Sequence, residues 1–239
     1  MSVHASLKSL PEWNRLVELV RELAFLDGGS DDAFTLASGR QSRWFFDMKP
    51  VMMHTESSKL LAHLFNHRLD DLDPDFVGGL ELGAVPLTAI VITGAESDHR
   101  KGFMVRKSPK GRGGRKTNNP PGIEGASIAG GGSIVILEDV TTTGGSSIQA
   151  VERIRKTTSC DVIAVISILD REEGGVEAFL RGAEQRGEVR NAGSVERVLH
   201  QRPQRRVAGR GLVLRQVELG EQLHVVRADA AVEVHRLHL

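Results

Sequence analysis

The chain has 239 residues, with 31 Lys and Arg against 31 Asp and Glu, 40% apolar residues and a single cysteine. That is the composition of a globular chain able to bury a core without staples, and the lone Cys160 excludes an internal disulfide framework. Zero formal net charge excludes a basic coat over the whole surface, and no apolar run approaches the roughly 20 residues of a membrane helix, so a cytoplasmic protein without nucleic-acid or membrane partners is expected.

Ser9-Leu10-Pro11-Glu12 has capping-box spacing, and Leu16, Leu19, Val20 and Leu23 follow at helical intervals, which predicts a helix near 11–26. Asp27 to Ser30 reads as a loop. Residues 33–48 set Phe34, Leu36, Trp44, Phe45 and Phe46 around Ser38-Gly39-Arg40, the pattern of short strands about a turn. A second helix is expected over 55–69.

Four short apolar runs follow: Asp75 to Leu80, Gly102 to Val105, Ser133 to Leu137 and Asp161 to Leu169. Near-continuous apolar strands alternating with helices predict an α/β fold whose parallel central sheet is covered on both faces. Ile148, Val151 and Ile154 share one face of the helix after the third run. Near residue 175 the composition changes: the last 64 residues hold 11 arginines but no Lys, Ile, Met or Trp. A boundary is expected there.

The third run ends in Glu138-Asp139-Val140-Thr141-Thr142-Thr143-Gly144-Gly145-Ser146, directly before the helix. In an open parallel sheet, ligands sit at the carboxyl ends of strands, where a turn into a helix presents backbone N–H groups backed by the helix dipole. Hydroxyls with glycines can wrap a phosphate closely. The two carboxylates suit sugar hydroxyls or a hydrated Mg²⁺ instead. Neither a Walker A loop nor a Gly-x-Gly-x-x-Gly turn occurs.

A second candidate is the basic stretch 100–116, where Arg100, Lys101, Arg106, Lys107, Lys110, Arg112, Arg115 and Lys116 stand without one acid. Gly111, Gly113 and Gly114 beside Pro109 predict a mobile loop. From residue 104 to 116 it has no aromatic side chain on which bases could stack, so it is read as an anion clamp rather than a nucleic-acid surface.

The segment 134–146 closely resembles the signature by which the type I phosphoribosyltransferases hold phosphoribosyl pyrophosphate (PRPP). The basic stretch narrows that resemblance to the orotate phosphoribosyltransferase family, whose catalytic loop is matched by Arg106, Lys107, Lys110 and Arg112. Phe34 to Arg40 with Ser42 and Phe45-Phe46-Asp47 resembles the family's N-terminal hood. Gly79 to Leu87 resembles its pyrophosphate loop, and Leu169-Asp170-Arg171-Glu172-Glu173 the strand end that meets orotate.

The resemblance implies a type I phosphoribosyltransferase fold over 1–175, its hood mainly in 1–50, and Mg²⁺-dependent transfer of the phosphoribosyl group from PRPP to orotate. Glu138 and Asp139 would contact the ribose and Thr141 to Ser146 the 5-phosphate, with Val140 between them in the PRPP site and Arg106, Lys107, Lys110 and Arg112 on the pyrophosphate. Lys107, Lys110 and Asp139 are the implied catalytic residues. Phe45, Phe46, Thr142 and Arg171 would surround orotate. No metal ligand is expected on the protein, because Mg²⁺ would be held by substrate and water. A homodimer is implied, with loop 106–116 reaching the other subunit's site. Two alternatives stay open: another nucleobase, against which the hood and Arg171 speak, and a non-catalytic PRPP-sensing regulator, against which the single clear helix in 1–30 speaks.

The chain departs from the pattern in four places. Ala37 stands where some members carry Lys, Arg43 where Pro is common, and Arg112 where His is usual. Residues 176–239 do not resemble the family; a reading-frame change and a divergent extension are both open.

Overall fold

The computed structural model describes residues 7–36, 39–108 and 117–185. A single 3₁₀ turn, Leu7–Ser9, leads into α1 (Pro11–Leu23), then β1 (Phe25–Asp27), β2 (Phe34–Thr35), β3 (Gln41–Ser42), β4 (Trp44–Phe46), α2 (Lys49–Met52), α3 (Thr55–Leu72) and β5 (Phe76–Leu80). There follow α4 (Ala84–Thr93), β6 (Lys101–Val105), β7 (Ile123–Gly125), β8 (Gly132–Thr141), α5 (Gly145–Thr157), β9 (Cys160–Asp170) and α6 (Gly175–Gln185).

The main sheet runs β7-β6-β5-β8-β9. Four strands are parallel, and β7 pairs antiparallel to β6 through Val105 with Ile123 and Phe103 with Gly125. The parallel central sheet is as expected, with β7 added as an antiparallel edge strand. Three residues, Ile-Glu-Gly, are too few to show a period of two, so nothing local announces it. Along β8 the side chains alternate: Val135 and Leu137 join the cluster with Leu16, Leu61, Leu64 and Leu87 of α1, α3 and α4, while Ile134 and Ile136 join Ala150, Val151 and Ile154 of α5. Both faces are covered, which is why the strand reads as unbroken aliphatic text.

Two sequence expectations shift at the front of the chain. The residue capping α1 is Leu10, in extended conformation and without a side-chain cap, rather than Ser9. The helix stops at Leu23 instead of continuing to 26, because Phe25, Leu26 and Asp27 pair with Phe46, Phe45 and Trp44. With the β2–β3 hairpin, this ribbon forms the expected hood. The expected boundary at 175 falls on the first residue of α6, whose Phe179 packs against the cluster on the α5 side of the sheet. The tail beyond 185, Ala37 and residues 109–116 lie outside the described residues. Among the described residues, no helix is long and apolar enough to cross a membrane.

Candidate active site

The chain leaves β5 for β6 on one side and returns as β8 on the other, so the connections after β5 and β8 diverge to opposite faces of the sheet. A crevice opens at such a switch point, at the carboxyl ends of the strands. Here the turn Glu81-Leu82-Gly83 meets the end of β8. The Glu81–Leu82 peptide bond is cis, Leu82 is 65% exposed, and the Asp139 carboxylate lies so close to Gly83 that a Cβ there would stand 2.3 Å from it. Only glycine admits that approach.

The two adjacent acids face different environments. Asp139 is half-buried, with one oxygen accepting the Val140 N–H at 2.9 Å. Glu138 is buried and accepts the Ser147 hydroxyl of α5 at 2.5 Å. Burial pushes the Glu138 carboxyl up to about 8; the Ser147 bond opposes this, and the charge of Asp139 adds to it. Of the pair, Asp139 is the one open to a ligand.

Beyond them Thr141 is buried, Thr142 half-buried and Thr143 exposed, and Gly144 turns the chain into α5 with φ +77°. A side chain at Gly144 would press on the Gly175 carbonyl and the Phe179 ring, both 3.2 Å away, so α6 closes over this turn. Gly145, Ser146 and Ser147 open a 13-residue helix, and their N–H groups precede the first intrahelical bond, from Ile148 to Gly144. Such a terminus attracts an anion.

The expected basic clamp divides. Arg100 is buried at the opposite end of the sheet's strands, its side chain 1% exposed, donating to Asn66 Oδ1 at 2.7 Å and Asp70 Oδ1 at 3.0 Å of α3. Lys101 begins β6 at that same end. Neither belongs to the site. Arg106 and Lys107, at the other end of β6, do: Lys107 N–H donates to Glu81 Oε1 at 2.8 Å, and Arg106 Nη1 lies 3.6 Å from both Glu81 Oε2 and Glu124 Oε1. Lys110 and Arg112 lie outside the described residues.

Arg171 joins hood to core. Its backbone N–H donates to Thr141 O at 2.9 Å, while its guanidinium donates to Glu173 Oε1 at 2.8 Å, Ser42 Oγ at 3.0 Å and Trp44 O at 3.2 Å. It also sits 6.0 Å above the Phe46 ring. Phe46 packs on Phe25 with ring centroids 5.3 Å apart and touches the main core, whereas Phe45 pairs with Phe34 at 5.7 Å within the hood. Arg40 reaches Glu173 Oε2 at 3.5 Å. Arg43 forms a two-pronged bond to Asp27, at 2.8 and 3.0 Å, that ties the two hood strands and holds the Asp27 carboxyl below its usual range.

Sequence reasoning placed Glu81 in the pyrophosphate loop and Glu173 in the orotate-facing strand end without a role of their own, and gave Ser147 none. Glu173 pairs with Arg171 two residues away, but β9 has ended at Asp170 and Glu172 has φ +54°, so a turn rather than strand alternation brings the two together. For Glu81 and Ser147 the partners are 26 and 9 residues away, and no local pattern links them.

No protein-family model matches the chain. The orotate phosphoribosyltransferase of Rhodopseudomonas palustris (strain BisB5) is 41% identical over 167 residues, which cover 69% of this chain and 86% of that protein. The crystal structure of Mycobacterium tuberculosis H37Rv orotate phosphoribosyltransferase in complex with Fe(III) dicitrate is similar with a TM-score of 0.59 at 32% identity, over 72% of this chain and 91% of that one. The same organism's enzyme in complex with PRPP gives 0.55 at 30% identity, over 74% and 91%. Sheet order and the turn at its switch point define a type I phosphoribosyltransferase fold. The identity and coverage then narrow the class: the chain belongs to the orotate phosphoribosyltransferase family.

Proposed function

We propose that this chain transfers the 5-phosphoribosyl group from PRPP to orotate, giving orotidine 5′-monophosphate and pyrophosphate in pyrimidine (UMP) biosynthesis. The observation that carries this reading is the end of β8, where Asp139 packs on Gly83 beside the glycine turn that opens α5.

The turn Thr141 to Ser146 receives the 5-phosphate on the first N–H groups of α5. Asp139 accepts from the ribose hydroxyls, and its charge lies near the carbon that becomes cationic in an oxocarbenium-like transition state. Glu138, bonded to Ser147, supports that strand end from behind. Lys107 meets the charge that grows on departing pyrophosphate, with Lys110 and Arg112 assigned there from the sequence. Little proton transfer is required, so positioning and electrostatics supply the rate. Orotate lies between hood and core, where Arg171 and Thr142 face its carboxylate and carbonyl groups and Phe45 and Phe46 border its ring.

Among the described residues, no group of three or more His, Cys, Asp or Glu converges to hold a metal ion. The oxygen-only donors at the end of β8 fit a hydrated Mg²⁺ carried by substrate, which neutralises pyrophosphate charge when bound. The active form is a homodimer in which the loop that starts at Arg106 and Lys107 in this subunit's site extends on to the other subunit's.

Mixing the chain with Mg²⁺, PRPP and orotate tests the reading. Loss of orotate absorbance is expected. Turnover with a different base and none with orotate would refute it in favour of another phosphoribosyltransferase; PRPP binding with no turnover of any base would favour a sensor.

A further inference from the structure

Three segments meet where β5 and β6 end: the turn after β5, the residues after β6, and the edge strand β7. Glu81 is bound at three atoms to the last residue of β6 and the two residues after it. Its N–H donates to Val105 O at 2.7 Å, its Oε1 accepts Lys107 N–H at 2.8 Å, and its Oε2 faces Arg106 Nη1 at 3.6 Å. Arg106 is held from two further directions: its own N–H donates to Gly122 O at 2.9 Å, and Arg153 of α5 donates to its carbonyl at 2.7 Å.

A carboxylate at this place cannot serve to bind pyrophosphate, since like charges a few ångströms apart repel. What it grips is the backbone of Lys107. A side chain whose own N–H is anchored starts from a fixed origin, so the arc its ammonium group can sweep is set by Glu81. The Glu81 charge is offset locally by Arg106, which in turn is shared with Glu124. The anchor therefore stands beside the anion site without filling it.

We infer that Glu81 is a positioning residue for the transfer reaction, fixing the Lys107 backbone against the turn after β5 so that the ammonium group of Lys107 meets the leaving pyrophosphate. This rests on the function proposed above, and it adds a role for a side chain that touches neither substrate.

Two substitutions separate the hydrogen bond from the charge. Glu81→Ala removes the acceptor, while Glu81→Gln keeps an oxygen for Lys107 N–H and discards the charge. Glu81→Ala is expected to lower kcat about tenfold or more, with KM for orotate within about twofold, because a displaced catalytic group chiefly loses transition-state contacts. The Lys107 amide, followed by hydrogen exchange without substrate, should exchange about tenfold faster in Glu81→Ala. Glu81→Gln should restore both readouts toward the unsubstituted chain. Unchanged exchange and kcat in Glu81→Ala would overturn the inference, as would a Glu81→Gln variant as impaired as Glu81→Ala. If the unsubstituted chain fails to consume orotate, the functional reading falls, and amide exchange alone decides whether Glu81 anchors Lys107.

Discussion

Arg100 and Arg106 flank the same five-residue strand, and their surroundings are opposite. At the start of β6, Arg100 is sealed beneath α3 with Asn66 and Asp70, and its Nε has no partner. At the far end, Arg106 is half-buried between two acids at the mouth of the crevice. Six residues of extended chain span about 20 Å, so one basic stretch serves both ends of the strand. One cation is sealed in the fold and the other stands at the crevice, a difference that charge counting along the sequence cannot register.

That contrast gives the largest expected effect. Lys107→Ala should reduce orotate turnover about a hundredfold or more, as loss of a preorganised charge at a developing anion does, while the melting temperature stays unchanged. A matching loss of stability would show that this end of β6 is structural too. Arg100→Leu should do the reverse. It strands Asn66 Oδ1 and is expected to lower stability by about 2–4 kcal/mol in urea unfolding, with kcat per folded molecule within about twofold. An unaltered midpoint would break the comparison.

A third effect, read in the pH dependence of stability, concerns the second contrasted pair, Glu138 and Asp139. Burial raises the Glu138 carboxyl from its ordinary 4.5 to about 8. Below pH 4.5 the folded and unfolded chains both hold this proton, and its contribution to stability is fully present. Between 4.5 and 8 only the folded chain keeps it, so stability falls as pH rises and levels off above 8. Glu138→Gln should flatten that part of the profile measured by denaturant titration. The acids Asp27 and Asp75 are shifted downwards from 3.8, so their contributions change below this window. A Glu138→Gln profile that keeps its full slope would assign the effect elsewhere.

Much of the fold was legible. The strands expected over 75–80, 102–105, 133–137 and 161–169 are present as β5, β6, β8 and β9, and the helix expected over 55–69 runs Thr55–Leu72. Legibility failed where a distant partner decides. Phe25 to Asp27 has enough helical continuity to extend α1, yet pairing with β4 draws it into a strand. In the site, the text from Glu138 to Ser146 marked the crevice because its chemistry is continuous in sequence. Its support was hidden: Gly83 under Asp139, Glu81 under Lys107 and Ser147 against Glu138 are contacts across the sheet or around a turn. Arg43 likewise departs from the family pattern on paper, and its bond to Asp27 supplies the reason it fits.

By itself the sequence determined the alternation of buried strands and helices and the place of the acid and glycine turn, because hydrophobic period and turn chemistry are local properties. Only the tertiary structure decided which cation stands at which end of β6, which of two adjacent acids is open, and which glutamate holds the backbone of Lys107. These depend on strand direction and burial, and a carboxylate or guanidinium takes its role from the few ångströms around it rather than from its neighbours in the chain.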